Sequence, residues 1–309
     1  MKKSVFKGIE DYIQLRRSFG FSYEQGAVNL RSLSSFLKRQ RKKFINTRTV
    51  LDWLESHPQA SSMQQSTRLS HANAFALYWK AFESKTEIPD RDICNHPPRR
   101  ARPYIYSALE CKKILKGCFQ MSIPTGVPSK LYARAYYALY GLIMTTGLRR
   151  WEAVNLRREH IDLQKATLFV EITKFRKSRM IPLDFTTVLQ LQAYAKIRDK
   201  LVAHPKTDHF FLSSPTRAIS DDMIYYRFVR ICHEAGIKPS VQGKGPRLHD
   251  LRHTFAVRVI QRWLREGKNI HELMPLLSTY MGHDHPSDTY WYLTGIPEIL
   301  KYGLHKDQR

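Results

Sequence analysis

A basic, proline-rich segment, NHPPRRARPY at 95–104, is the feature that most constrains how this chain can fold. Proline lacks a backbone N–H and disfavours helix in the residue before it, so a helix cannot run through this segment. We therefore expect two domains, at 1–95 and 105–309, joined by a linker at 96–104. The arginines between the prolines suggest that the linker crosses a polyanion.

Helical periodicity dominates both predicted domains. Apolar residues recur at helical spacing in four segments before the linker, and either Asn46 or Thr47 can cap the third of them. Further helical patterns follow the linker, and they are interrupted by β-prone runs at 166–173 and 178–183 on either side of the turn KFRK. The pattern predicts a mainly α fold with one small antiparallel β-sheet.

The charge balance indicates what the chain binds. Lys and Arg total 51 against 27 Asp and Glu, which gives a net charge of +24. A field of this sign attracts nucleic acid, although an anionic membrane or a generally basic protein is an alternative. The candidate DNA contacts are Lys38, Arg39, Arg41, Lys42 and Lys43 after the second predicted helix, and Arg99, Arg100 and Arg102 in the linker. A solvated helix end, favoured by the helix dipole, is the alternative for the first group.

Cysteine usage and hydropathy indicate a cytoplasmic protein. The four cysteines, at 94, 111, 118 and 232, show neither CxxC nor zinc-site spacing, so we expect reduced thiols. The N-terminus lacks the apolar run of a signal peptide. The longest apolar stretch, 131–148, contains Arg134 and several tyrosines, and it is too short and too polar to span a bilayer.

Two segments bring cations together. In TTGLRRWEAVNL at 145–156, Arg149 and Glu152 are three residues apart on a helical turn, so the carboxylate can orient the guanidinium. In LHDLRHTFA at 248–256, His249 and Arg252 are also three apart and project from one helix face.

The same histidine segment allows a competing interpretation. HDLRH has two histidines at zincin spacing, but Asp250 stands where a metalloprotease has Glu, and Arg252 would repel the metal. A zincin-like metalloprotease is therefore the weaker hypothesis.

Two further segments add a donor and a nucleophile. In YMGHDHPSDTYWYL at 280–293, Gly282 ends a helix, His283 follows, and an aromatic cluster comes next. The turn TKFRKSR at 173–179 places Lys174 and Lys177 where a flexible amine can reach a ligand.

In this order and spacing, the four segments resemble the tyrosine recombinase and phage integrase family, over roughly 104–309. The helical first domain fits that family's core-binding domain. The resemblance implies an active-site set of Arg149, Lys174, His249, Arg252, His283 and Tyr292, with Glu152 supporting Arg149. The family's nucleophile lies nine residues after the histidine of the third motif, which leads from His283 to Tyr292. Tyr290 and Lys177 stay open as alternatives to Tyr292 and Lys174.

These residue types suit the implied reaction. A phenol with a pKa of about 10 needs nearby cations to ionise at neutral pH. Two arginines can hold the non-bridging phosphate oxygens, His249 can take the phenol proton, and His283 can donate to the phosphate. Lys174 would protonate the leaving 5′ oxygen. The resemblance implies strand exchange through a 3′-phosphotyrosine, with no metal, cofactor or ATP.

The implied partners are a double-stranded recombination site and, on synapsed DNA, a homo-tetramer; a monomer is one option for the free protein. The C-terminal segment 296–309 can dock in cis or on a neighbouring protomer. The ending resembles recombinases of mobile elements, and we expect a place at the bacterial or archaeal nucleoid. A type IB topoisomerase, a telomere resolvase-like strand transferase and a catalytically silent DNA-binding protein are the alternatives.

Overall fold

The computed structural model describes residues 4–20, 22–90, 93, 103–171, 178–237, 245–283, 285–295 and 299. The chain divides into two compact units, Met1–Ala101 and Arg102–Arg309, here called the N-terminal and C-terminal units. Their boundary falls inside the segment expected to be a linker. That the N-terminal unit is a DNA-binding domain stays a prediction.

The described part of the N-terminal unit is helical, and the helices surround one apolar core. They are α1 (Val5–Ser18), α2 (Glu24–Arg39), α3 (Thr47–Glu55) and α4 (Ser62–Trp79). Asn46, rather than Thr47, caps α3, because its side chain accepts the Thr49 backbone N–H at 2.8 Å. Trp53, Phe75 and Trp79 are fully buried in the core.

The C-terminal unit is mainly helical, as predicted. Its helices are α5 (Ala108–Gly117), α6 (Ser129–Thr146), α7 (Arg150–Val154), α8 (Phe185–Leu201), α9 (Asp221–Glu234), α10 (Asp250–Arg265), α11 (Ile270–Met281) and α12 (Ser287–Gly295). The buried helix α6 packs against α8 and α10. Within the described residues, no helix is long and apolar enough to cross a membrane.

The described part of the C-terminal unit also contains two small antiparallel sheets. The first has the order β1 (Ile161–Asp162), β2 (Thr167–Val170) and β3 (Arg179–Pro182), with Val170 paired to Arg179. The second joins β4 (Leu212–Ser214) to β5 (Arg217–Ala218). The expectation of a single sheet was therefore wrong: β4 and β5 are too short, and too rich in serine and threonine around their turn, to show an alternating pattern.

A separate apolar cluster places the last helices. Ala256, Val257 and Ile260 of α10 pack with Met274, Leu277 and Met281 of α11, and Tyr292 of α12 belongs to the same cluster. Burial of an aliphatic side chain of this kind contributes about 1.5–3 kcal/mol, so the cluster holds α10, α11 and α12 together.

Candidate active site

Two glycines at helix ends shape the site. Gly147 ends α6 and Gly282 ends α11, with left-handed φ values of 64° and 65° that favour glycine. Both turns leave carbonyl groups at helix C-termini, where the partial charge is negative and attracts cations. A Cβ on Gly282 would lie only 2.8 Å from Nη1 of Arg179, so a side chain there would also collide.

Arg149 and Arg252 use these carbonyls. The Arg252 Nη1 donates to the Gly147 carbonyl at 2.6 Å, and its Nη2 donates to the Met281 carbonyl at 2.7 Å. The Nη2 of Arg149 donates to the Gly282 carbonyl. The two guanidinium groups are thus fixed by backbone from the ends of α6 and α11.

Burial separates the two arginines. Arg252 is 2% exposed, whereas the Arg149 side chain keeps 32% of its surface accessible. Burial, together with the charge of Arg149, lowers the pKa of Arg252 to about 10, so this guanidinium is still protonated at neutral pH. The Tyr292 phenol is close enough to Arg252 to act on the same pKa.

Glu152 is a buried carboxylate among the arginines, with 3% of its surface exposed. It accepts the Arg149 backbone N–H at 2.9 Å and the Arg149 Nη1 at 3.1 Å. Burial alone would raise the pKa of this carboxyl, but hydrogen bonds and charge from Arg179, the Arg149 backbone bond and the charge of Arg252 bring it below its ordinary value. Glu152 is therefore ionised and neutralises part of the local positive charge.

Arg179, at the start of β3, was missed in the sequence. Its Nη1 and Nη2 donate to the two oxygens of Glu152 at 3.0 and 2.8 Å, and its Nε donates to the Tyr280 carbonyl at 2.8 Å. The available signal was an arginine directly after a basic turn, at the start of a β-prone run. We call Arg149, Arg179 and Arg252 the arginine pocket.

Tyr292 contacts a histidine that the sequence did not single out as a site residue. Its hydroxyl lies 2.7 Å from Nδ1 of His253, and Tyr292 is 1% exposed. The ring of His253 packs edge-on against that of His249, with centroids 4.8 Å apart. His249 is exposed at the start of α10, whereas His253 is buried. Tyr290 is half-buried and packs against the same apolar cluster.

His283 follows Gly282 directly, which keeps it beside the arginine pocket. Its Nδ1 lies 2.6 Å from the Thr289 hydroxyl, and its backbone N–H donates to the Ser278 carbonyl at 3.0 Å. Lys174 and Lys177 lie outside the described residues, so the choice between them stays a prediction.

The zincin-like alternative does not fit the contacts of its motif. The Asp250 carboxylate accepts the Arg247 backbone N–H at 3.0 Å and the Arg247 guanidinium at 2.8 and 3.1 Å. His253 is engaged by Tyr292. In the part of the chain that the structure describes, no three His, Cys, Asp or Glu side chains cluster so that they could hold a metal ion.

The candidate DNA contacts of the N-terminal unit form an exposed group. Lys38, Arg39, Arg41, Lys42 and Lys43 all have exposed side chains at the end of α2, and we call them the α2 basic segment. The Lys38 ammonium lies 5.2 Å from the centre of the Phe6 ring. Arg99, Arg100 and Arg102 lie outside the described residues.

Comparison with known proteins gives consistent similarities. The model of the phage integrase family matches residues 111–295. A putative integrase/recombinase, y4rB of Sinorhizobium fredii, is 33% identical over 308 residues, which cover 99% of this chain and 98% of that protein.

Two solved structures share the fold. The Tn1549 transposon integrase in complex with a circular intermediate DNA has a TM-score of 0.67 at 14% identity, covering 98% of this chain and 99% of that one. The lambda integrase tetramer bound to a Holliday junction has a TM-score of 0.63 at 15% identity, covering 92% of this chain and 78% of that one.

Proposed function

This chain belongs to the phage integrase family, and we propose that it recombines DNA at specific sites by cutting and rejoining strands through a covalent bond between Tyr292 and a 3′-phosphate. One observation carries the proposal: Arg149 and Arg252 are fixed on neighbouring carbonyls at the end of α11, and the Tyr292 hydroxyl lies 2.7 Å from His253, the residue after Arg252 on α10. Cations held in place and one activated nucleophile are what phosphoryl transfer requires.

The first step is transfer of the scissile phosphate to the enzyme. The Tyr292 oxygen forms a bond to phosphorus while the bond from phosphorus to the 5′ oxygen breaks. The phenol proton passes to Nδ1 of His253, rather than to His249 as the sequence suggested, because His253 already lies 2.7 Å from the hydroxyl. Lys174 gives a proton to the departing 5′ oxygen. The 5′-hydroxyl of another strand then reverses the step, because the phosphotyrosine retains the energy of the phosphodiester.

The arginine pocket stabilises the negative charge that develops on phosphorus. Each Arg252 Nη carries a second N–H beyond the one donated to a carbonyl, so the guanidinium can fork onto a non-bridging oxygen. Arg149 is the more exposed of the two and is placed to meet the phosphate first. The exposed His249 and the neighbouring His283 add donors at the rim of the site. Glu152 supports Arg149.

Binding would extend beyond this site. The α2 basic segment and the linker arginines Arg99, Arg100 and Arg102 would neutralise backbone phosphates on the recombination site. Exchange between two duplexes needs four active sites, so we propose a homo-tetramer on synapsed DNA. The fold shared with the lambda integrase tetramer on a Holliday junction supports this assembly. Because the proposed substrate is DNA, we also propose that the protein acts at the nucleoid.

The test is covalent trapping on a nicked suicide duplex that carries the end junction of the host mobile element. Wild-type protein should form an adduct that denaturing gels resolve, and peptide mapping should place the DNA on Tyr292. Tyr292→Phe should abolish the adduct, Tyr290→Phe should retain it, and EDTA should have no effect. An adduct that survives in Tyr292→Phe would contradict the assignment. Joined strands from two duplexes would distinguish recombination from topoisomerase-like relaxation or hairpin formation.

A further inference from the structure

We infer that Arg179 is a positioning residue of this reaction, which sets the direction of the Arg149 guanidinium by holding Glu152. The inference rests on the proposed function and concerns how the pocket is organised. Arg179 would not contact the DNA, since its three observed bonds point to protein groups and its side chain is 11% exposed.

Arg179 itself is fixed in position and in rotation. Its Nη1 and Nη2 form a fork on the Glu152 carboxylate at 3.0 and 2.8 Å, and the Nε bond to the Tyr280 carbonyl at 2.8 Å prevents rotation about the fork. Forked, charge-assisted bonds of this kind are short and directional. Lysine has one nitrogen and cannot reproduce all three bonds at once.

Glu152 transmits this constraint to Arg149. Each carboxylate oxygen accepts one bond from each arginine: Oε1 accepts Nη1 of Arg149 and Nη1 of Arg179, while Oε2 accepts the Arg149 backbone N–H and Nη2 of Arg179. Without Arg179, the carboxylate would lose half of these bonds and could rotate about its own side chain. The guanidinium of Arg149 would follow that rotation.

A second contact connects Arg179 to Arg149 through the backbone at the end of α11. Arg179 binds the Tyr280 carbonyl, two residues before Gly282, whose carbonyl accepts Nη2 of Arg149. Arg179 therefore joins the start of β3 to the end of α11, and it acts on both groups that hold Arg149. A displacement of about 1 Å in a group that must meet a transition state can cost about 10²-fold in rate.

The experiment measures single-turnover cleavage of a saturating suicide duplex, together with the dissociation constant on uncut DNA. Arg179→Gln should slow cleavage by about 10²-fold and change the dissociation constant by less than about threefold. Arg179→Lys, which can still place a cation on Glu152, should recover part of the rate. The control is Arg198→Lys, at an arginine of the same unit whose side chain is 5% exposed, against 11% for Arg179. Arg198 binds the Phe210 and His209 carbonyls and Asp199.

Arg198→Lys should lower the melting temperature and leave the cleavage rate unchanged at a temperature where the protein is folded. If folded Arg179→Gln cleaved at the wild-type rate, or if Arg198→Lys lost as much rate, the positioning role would be excluded.

A duplex with a 5′-bridging sulfur provides a second experiment, because a thiolate leaves without a proton. The defect should persist on it; restoration of the rate would mean that Arg179 acts on protonation of the leaving group instead. A wild-type protein that forms no adduct would contradict the proposed function, a result distinct from each of these.

Discussion

The arginine pocket and the α2 basic segment carry the same sign of charge in opposite environments. Arg252 is buried with two backbone carbonyls on its guanidinium, and Arg149 and Arg179 share the carboxylate of Glu152. The side chains of the α2 basic segment are all exposed at the end of a helix. One group is held in place by the fold, and the other is hydrated.

This difference in environment determines which role each group of cations can have. Fixed, desolvated cations do not reorganise when charge develops on a substrate, so they lower the barrier of a reaction. Exposed cations neutralise DNA phosphates and release the counterions condensed on the DNA, so they supply affinity that falls as salt rises. The net charge of +24 does not show which cations lower the reaction barrier and which supply binding affinity.

The strongest test of the comparison is Arg252→Lys. The ammonium keeps the charge but cannot donate to the Gly147 and Met281 carbonyls and also fork onto a phosphate oxygen. We expect single-turnover cleavage to fall by about 10²–10³-fold, with the salt dependence of DNA binding unchanged. A variant that bound DNA less tightly but cut bound DNA at the normal rate would place Arg252 with the binding cations.

Glu152→Gln should show that the pocket depends on a buried carboxylate. Removing one partner of a buried ion pair costs about 3–5 kcal/mol, so we expect a loss of this size in the free energy of unfolding at neutral pH. Urea unfolding of both proteins measures it.

The same variant has a defined pH signature. Because the pKa of Glu152 is lower in the folded protein than its ordinary value of 4.5, the ionised carboxylate stabilises the fold fully above that value. This contribution is lost as the pH falls through the lower, folded pKa. The difference in stability between wild type and Glu152→Gln should therefore shrink on acidification; a constant difference would contradict it.

Replacing both Lys42 and Lys43 by alanine tests the role of the α2 basic segment in DNA binding. Two phosphate contacts fewer should reduce the slope of log affinity against log salt by about 2. The cleavage rate of fully bound DNA should stay within about twofold of wild type, because neither residue belongs to the fixed pocket. Binding titrations from low to high salt provide the measurement, and an unchanged slope would remove the α2 basic segment from the interface.

The smallest effect is expected for Arg48→Ala, beyond the α2 basic segment. Arg48 pairs with Asp52 at 2.8 Å, four residues along α3, but its side chain is 77% exposed. An exposed pair of this kind contributes about 0.3–0.5 kcal/mol, so thermal unfolding should barely change. A loss above about 1 kcal/mol would show that exposed ion pairs matter more here than the comparison allows.

Much of the fold could be predicted because helical periodicity is a local property. The apolar spacing in α2, α6 and α10 is visible in the sequence, and so is the three-residue spacing of Arg149 and Glu152. The short strands β4 and β5 could not be predicted, since two or three residues show no period.

The missed site residues depend on distant contacts. Arg179 is 27 residues from Glu152, and the pairing of Val170 with Arg179 in the first sheet brings it back to the pocket. The sequence shows His253 directly after Arg252. Its role in the site depends on where α12 places the hydroxyl of Tyr292, which is 39 residues later in the chain. No local pattern contains that information.

Gly282 limits which amino acids this position of the sequence can tolerate. Because the side chain of Gly282 is only a hydrogen, the end of α11, the Arg149 contact and the Arg179 side chain can share one small volume. Alanine would need both a left-handed backbone and room that Nη1 of Arg179 already fills at 2.8 Å. In a library randomised at this codon and selected for recombination, a single residue type should survive, however tolerant the neighbouring codons prove to be.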